Sequence, residues 1–300
     1  MQIEIIKLQV LKLISFFVFL LIILVPMKTV LYLFCEFVLC VNTYTSPLSI
    51  SAGKAIPKRI HQVFFFETSS TLPNEFTKSQ QTCQKHHSSY MYTLWNKTMI
   101  NDLIEKEYPE FKQIYDSYDH WVKRVDAGRY LVLHHYGGWY IDIDIVCKRS
   151  VDELSAEARA KNASVVVYKT KPVGFTNAVI GISRQHQYLN DVIVALRHSK
   201  RWYFIPYLST MFTTGPTFLL GRYLNYPYKD EFHIINNHER YFHHLHGSAW
   251  HSLDGDIIMY IFNNSPRKLT FIVCACTVII VILYSKRRNK NKFSAFQRNV

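Results

Sequence analysis

No repeat and no low-complexity tract runs through these 300 residues, which excludes solenoids and arrays. There is no metal-type CxxC, so a structural zinc module is excluded as well. Cysteine is sparse: of six, Cys35, Cys40, Cys274 and Cys276 fall in apolar segments. Only Cys83 and Cys147 remain for the body of the chain. They allow at most one internal disulfide there and leave open whether it forms. Acid is missing from the C-terminal tail, where Lys286, Arg287, Arg288, Lys290, Lys292 and Arg298 stand without a counter-charge. Of the net +13, that tail supplies +6 and residues 1–41 supply +1, so the rest is spread over the body. A surplus so placed argues against a nucleic-acid groove and suits anionic substrates and an anionic membrane surface.

Both ends of the chain are apolar. Leu8 to Val41 is greasy, broken by Pro26-Met-Lys28. Leu13–Val25 alone is short against the roughly 20 residues a bilayer takes, but counted from Leu8 the run is long enough. A cleavable signal peptide is the rival, and no clear small-x-small cleavage site follows, so an uncleaved anchor is favoured. Tyr32–Val41 reads as a second membrane-hugging piece, re-entrant or spanning. Leu269–Tyr284 carries no charge and runs directly into the basic block, a stop-transfer pattern that puts the tail in the cytosol. The expected layout is an anchor over 1–41, a polar stem over 42–55, a lumenal domain over 56–265, a transmembrane helix over 266–285 and a cytosolic tail over 286–300. Asn96-Lys-Thr98 and Asn162-Ala-Ser164 are glycosylation sequons that matter if the domain is lumenal.

Between the ends, strands and helices alternate. Arg59–Phe66, opened by Pro57, and Tyr90–Trp95 read as strands; Thr98–Tyr108 and Phe111–Tyr118 read as helical. A helix around Val122–Tyr136 leads through Gly137-Gly138, a C-cap signal, into a strand over Trp139–Val146. Val165–Tyr168 is a further strand and Gln187–His198 a further helix. The pattern predicts an α/β layered fold with a largely parallel sheet, whose ligands gather at the carboxyl ends of strands.

Two acids lie at such an end. Along Trp139–Val146 the apolar Ile141, Ile143 and Ile145 alternate with Asp142 and Asp144. Side-by-side carboxylates suit a hard divalent cation, and a diphosphate bound through it. Upstream, Asp126 and Arg129 share a helix face at a spacing of three. A solvated ion pair there contributes only about 0.3–0.5 kcal/mol. Beside two further acids, a hydroxyl- or phosphate-binding role is the sharper reading, since the planar Arg129 fork can hold either.

These segments resemble the glycosyltransferases that carry a DxD motif, in the branch of yeast initiating mannosyltransferases, inositol-phosphoceramide mannosyltransferases and clostridial glucosylating toxins. The resemblance runs from about Ile56 to Asp256. It rests on Ile56-Pro-Lys-Arg-Ile-His-Gln62, the Asp-x-x-Arg-Tyr of 126–130, the Tyr-Gly-Gly-x-Tyr-x-Asp-x-Asp of 136–144 and Gly247-Ser-Ala-Trp-His251. It implies a GT-A type fold and sugar transfer from a nucleoside diphosphate, with retained anomeric configuration. It further implies Asp144 as direct ligand of Mn²⁺ or Mg²⁺, Asp142 as a looser one, and Asp126 and Arg129 on the hydroxyls of the donor sugar. Ser248 and Trp250 would close over the donor, Ser248 and His246 helping to hold the metal. His61 and Trp95 fall where the nucleotide base packs, with Tyr130 alongside the donor. His251 and Asp254 would orient diphosphate or acceptor, or be structural. A zinc site in His243–His251 is disfavoured by its irregular spacing.

No carboxylate pair of the glycosidase kind stands out, and no further acids build a two-metal phosphatase or nuclease site. The expected donor is GDP-mannose and the expected acceptor a membrane lipid, inositol-phosphoceramide first, in the Golgi. A glycoprotein mannosyl- or galactosyltransferase stays open. So does a non-catalytic scaffold that keeps the fold, for example as the regulatory partner of an active transferase, and a regulatory membrane subunit is among the partners expected for the enzyme.

Overall fold

The computed structural model describes residues 54–65, 71–169, 175–199, 206–245 and Gly255. Both apolar ends, most of the stem and the tail lie outside them, as do His246, Ser248, Trp250, His251 and Asp254. Among the described residues, no helix is long and apolar enough to cross a membrane.

The chain begins with β1 (Arg59–Val63), α1 (Asn74–His86), β2 (Met91–Trp95) and α2 (Lys97–Glu107), the last capped by the Asn96 side chain accepting from Met99 N–H. A short α3 (Lys112–Asp116) follows, then α4 (Trp121–Tyr136), β3 (Gly138–Ile141), β4 (Ile145–Cys147) and α5 (Asp152–Ala160). The remainder is β5 (Val165–Lys169), β6 (Phe175–Ile182), α6 (Gln187–Leu196), α7 (Pro206–Thr213), α8 (Pro216–Asn225), β7 (Phe232–Ile235) and β8 (Phe242–His244).

Six strands form a mixed sheet in the order β2-β1-β3-β6-β5-β7. The pairs β1–β2, β1–β3 and β5–β7 are parallel, while β6 runs against both β3 and β5. The sheet is therefore parallel except for β6, which follows β5 through a connection too short for a parallel crossover. Both faces are covered, so successive strand residues enter different cores. Tyr140, Val165 and Val167 pack with α4 and α6, whereas Trp139, Ile141 and Val166 pack with Leu154 and Ala158 of α5.

Two features bring the acids to the sheet edge. Gly137, at φ 63°, ends α4, and Gly138 follows at φ 104°. A Cβ on Gly138 would lie 2.8 Å from Arg59 O, so only glycine lets β3 settle against β1 here. The other feature corrects the expected strand over Trp139–Val146. β3 stops at Ile141, Ile145 N–H donates to Asp142 O at 3.1 Å to close a turn, and β4 leaves to pair antiparallel with β8. The isoleucine alternation persists because Ile141, Ile143 and Ile145 are all buried, although the backbone between them is not a strand. Cys83 and Cys147 do pair, joining α1 to β4.

Candidate functional site

The helix α4 is sandwiched in the protein, and its residues from Val125 to Leu133 are all buried. Asp126 and Arg129 are therefore not a surface pair: Arg129 Nη2 lies 2.9 Å from Asp126 Oδ1, and each side chain is only 5% exposed. Such a pair needs hydrogen bonds to offset the cost of burying its charges, and the two Nη arms of Arg129 find them while its buried Nε has no partner among the described residues. Arg129 Nη1 meets Asp142 Oδ1 at 3.1 Å and donates to Asn177 O at 2.9 Å, and its guanidinium lies over the Tyr140 ring at 4.5 Å. Asp126 accepts at Oδ1 from Asn177 Nδ2 as well, and at Oδ2 from the Thr214 hydroxyl, both at 2.9 Å. Tyr130 OH donates to Thr214 O at 2.7 Å and is 3.3 Å from Asn177 Nδ2. Four of the expected residues, Asp126, Arg129, Tyr130 and Asp142, thus form one network with Asn177, Thr214 and Tyr140, which sequence reasoning had not singled out as site residues.

Asp142 and Asp144 are the open acids of this cluster, with side chains 24% and 18% exposed. Tyr140 OH donates to Asp142 Oδ1 at 2.6 Å, and Gln62 Nε2 to Asp142 O at 3.2 Å. Burial pushes the Asp142 carboxyl above the usual carboxylate value; Arg129 opposes that and the Asp144 charge adds to it. Burial also pushes Asp126 up, to about 6, against the pull of Arg129 and Thr214. Asp144 Oδ2 lies 3.0 Å from His244 Nε2, and Leu245 N–H donates to Asp144 O at 3.0 Å. Burial works against the His244 cation, but its bond to Asp144 and the charges of both acids win, and its pKa is raised. The ribbon of β4 and β8 sets Ile145 opposite His244, beside the acidic turn.

Among the described residues, no group of three His, Cys, Asp or Glu side chains is placed to hold a metal. That donor set still fits Mg²⁺ or Mn²⁺ bound with a diphosphate, because such ions take one or two carboxylates and fill their remaining positions with phosphate oxygens and water. The expected further ligands, Ser248 and His246, lie outside the described residues.

His61 and Trp95 form a separate buried cluster. Trp95 Nε1–H donates to His61 Nδ1 at 3.1 Å, which leaves Nε2–H to donate to Gly137 O at 2.9 Å. Burial, aided by the Arg59 charge, lowers the His61 pKa to about 4 against the bond to Gly137, so the ring is neutral. His61 thereby pins the turn that ends α4.

The α/β domain thus presents two open acids beyond a strand end with a buried arginine behind them. The pattern described as "glycosyltransferase sugar-binding region containing DXD motif" matches residues 73–161. Inositol phosphoceramide mannosyltransferase 2 of Schizosaccharomyces pombe is 34% identical over 248 residues, covering 78% of this chain and 68% of that protein. Mannosyl phosphorylinositol ceramide synthase CSH1 of Saccharomyces cerevisiae is 32% identical over 235 residues, 74% of this chain and 60% of that one. Inositol phosphoceramide mannosyltransferase 3 of S. pombe is 30% identical, covering 74% and 64%. The chain belongs to the DXD-containing glycosyltransferase family, with the fungal inositol phosphoceramide mannosyltransferases. It spans less than two thirds of the length of two of these relatives.

Proposed function

We propose that this chain is a metal-dependent, retaining mannosyltransferase of the GT-A type that moves mannose from GDP-mannose to the headgroup of inositol phosphoceramide. The observation that carries the reading is the buried Asp126–Arg129 pair joined to Asp142, a charge arrangement with no stabilising advantage over apolar packing. The similarity to relatives named for this acceptor supports the substrate class.

In this reading the open edge of Asp142, with Asp144 and Ser248, holds the cation and diphosphate, and His246 assists. The chemistry a bound Mn²⁺ or Mg²⁺ supplies there is neutralisation of charge that grows on the leaving diphosphate. Asp126 and Arg129 hold the donor hydroxyls from below, and Trp250 covers the donor. Asp126 already accepts from Arg129, Asn177 and Thr214, which suits a hydrogen-bonding partner of the sugar and not a nucleophile. That supports attack on the same face as the departing diphosphate. His61 and Trp95 shape the base side of the site through Gly137.

The apolar ends anchor the domain in a secretory-pathway membrane, the Golgi by preference, with the domain lumenal. The Cys83–Cys147 disulfide supports an oxidising compartment. A regulatory membrane subunit is a compatible partner.

The test is hydrolysis of a panel of nucleotide sugars by detergent-purified protein, with and without Mn²⁺, beside Asp144→Asn. The expected result is Mn²⁺-dependent release of GDP from GDP-mannose that the substitution abolishes. Folded protein that neither binds nor turns over any nucleotide sugar would overturn the reading.

A further inference from the structure

Asp126 reaches a ligand only in the orientation its neighbours permit. A carboxylate offers about four lone-pair positions. Three are occupied within the described residues, by Arg129 Nη2 and Asn177 Nδ2 on Oδ1 and by the Thr214 hydroxyl on Oδ2. What is left for a ligand is the second position on Oδ2, the oxygen that Thr214 holds. The direction of that lone pair is therefore set by a residue 88 positions away in sequence.

Thr214 is itself fixed. Its carbonyl accepts from Tyr130 OH at 2.7 Å, and its N–H donates to Thr210 O at 3.1 Å. It stands in the junction of α7 and α8, where the next residue, Gly215, also donates to Thr210 O. Side chain and main chain thus dock this junction onto one turn of α4, at Asp126 and Tyr130. Asn177 completes the clamp from β6. Its Nδ2 faces both Asp126 and Tyr130 OH, and its main-chain carbonyl holds the Arg129 fork. Neither contact is needed to fold a helix or a strand. Both converge on a carboxylate whose burial would otherwise disfavour its charge.

We propose that Thr214 and Asn177 are positioning residues for the donor sugar, acting through Asp126 by fixing the one lone pair it can offer to a sugar hydroxyl. The proposal rests on the donor-sugar reading of Asp126 given above. It separates the residue that touches the sugar from the residues that aim it. The contribution should appear in recognition of the sugar and not of the nucleotide, because the side-chain hydrogen bonds of both residues go to Asp126 and Tyr130 and not to Asp142 or Asp144.

The test is calorimetric titration of wild type, Thr214→Val, Thr214→Ser and Asn177→Ala with GDP-mannose and, separately, with GDP, each with Mn²⁺. Thr214→Val keeps the shape and removes the donor; Thr214→Ser keeps the donor. Loss of a hydrogen bond to a charged group predicts GDP-mannose affinity roughly ten- to hundredfold weaker in Thr214→Val and Asn177→Ala. GDP affinity should be unchanged, which also reports that the variants are folded, and Thr214→Ser should recover most of the loss. Equal weakening toward both ligands, or no rescue by serine, makes the two residues merely structural and overturns the proposal. Unchanged GDP-mannose affinity in Thr214→Val and Asn177→Ala overturns it too, with the donor reading intact. A wild-type protein that binds GDP-mannose no better than GDP removes the sugar site itself, and the proposal with it.

Discussion

Arg129 Nη1 lies 3.1 Å from Asp142 Oδ1, so a helix residue holds the first acid of the turn beyond β3. The same guanidinium reaches Asp126 with its other arm at 2.9 Å. One planar cation therefore sets the separation between the buried acid of α4 and the open acids of the turn, a task a lysine ammonium cannot perform at both ends.

Replacing this cation should separate folding from recognition. Arg129→Met leaves the buried Asp126 and the partly open Asp142 without their cation and is expected to lower stability by about 3–5 kcal/mol in urea unfolding. Arg129→Lys keeps the charge, so it should fold, yet bind GDP-mannose at least about tenfold more weakly because one of the two carboxylates loses its partner. Wild-type affinity in Arg129→Lys would mean that the bridge does not organise the site.

Asp126 makes the pH dependence specific. Its folded-state pKa is pushed up to about 6, above the ordinary carboxylate value of 3.8. A raised acid stabilises the fold while protonated; that contribution is fully present below the ordinary value and is lost as pH rises through about 6. In the proposed donor-sugar role Asp126 accepts from a hydroxyl in its ionised form, which dominates only above that point. Sugar affinity should therefore fall as pH drops through about 6. Over the same range, wild type should gain stability relative to Asp126→Asn. Binding titrations and paired thermal melts of the two proteins check both signs, and parallel stability curves would refute the assignment.

What was legible in the sequence was local. Asp126 and Arg129 face each other because a helix places residues three apart on one side, and Gly137 marked the end of that helix. Cys83 and Cys147 were the one pair left once the apolar ends were set aside, but that they join is known only from the fold, which brings α1 against β4. The acidic turn was misread because Ile141, Ile143 and Ile145 keep alternating, and stay buried, through a backbone that turns between Asp142 and Ile145. Alternation reports burial, and only indirectly a strand. Asn177 and Thr214 carried no signal of their own. One is a polar residue near the start of a largely apolar strand and the other a threonine between helices, and each meets Asp126 only through tertiary folding, from 51 and 88 residues away. The reversed direction of β6 was hidden for the same reason, since strand direction belongs to the pairing partners.

Gly138 and Gly128 offer a matched contrast. An alanine at Gly138 would have to hold φ 104° and place its Cβ 2.8 Å from Arg59 O, a main-chain atom of the neighbouring strand. At Gly128 the nearest atom is also 2.8 Å away, but it is Ile100 Cδ1, the far end of a flexible side chain. Gly138→Ala should cost about 2–4 kcal/mol. Gly128→Ala should be close to neutral, because improved helix propensity of about 1 kcal/mol offsets the shift of Ile100. Chemical denaturation of the two variants decides it. Equal losses would mean that the β1–β3 contact is as yielding as the Ile100 side chain.

The disulfide bears on the acidic turn as well as on stability. Cys83 and Cys147 are 64 residues apart, and closing a loop of that length restricts the unfolded chain by about 4 kcal/mol in the chain-entropy account. Cys147 ends β4, the strand that starts directly after Asp144, and its N–H donates to Thr82 Oγ1 of α1 at 3.0 Å. The ribbon of β4 and β8 is tied to the body through α1, whereas Asp126 is tied through α4, β6 and the α7–α8 junction. Cutting the disulfide should therefore loosen Asp144 before it disturbs Asp126. A Cys83→Ser, Cys147→Ser double variant is expected to melt lower by an amount consistent with about 4 kcal/mol. In calorimetry it should lose more of the Mn²⁺-dependent part of GDP binding than of the preference for GDP-mannose over GDP. If the sugar preference fell first instead, the acidic turn would be held by its own hydrogen bonds, donated by Asp142 N–H to Ala178 O and by Leu245 N–H to Asp144 O, and not by the disulfide.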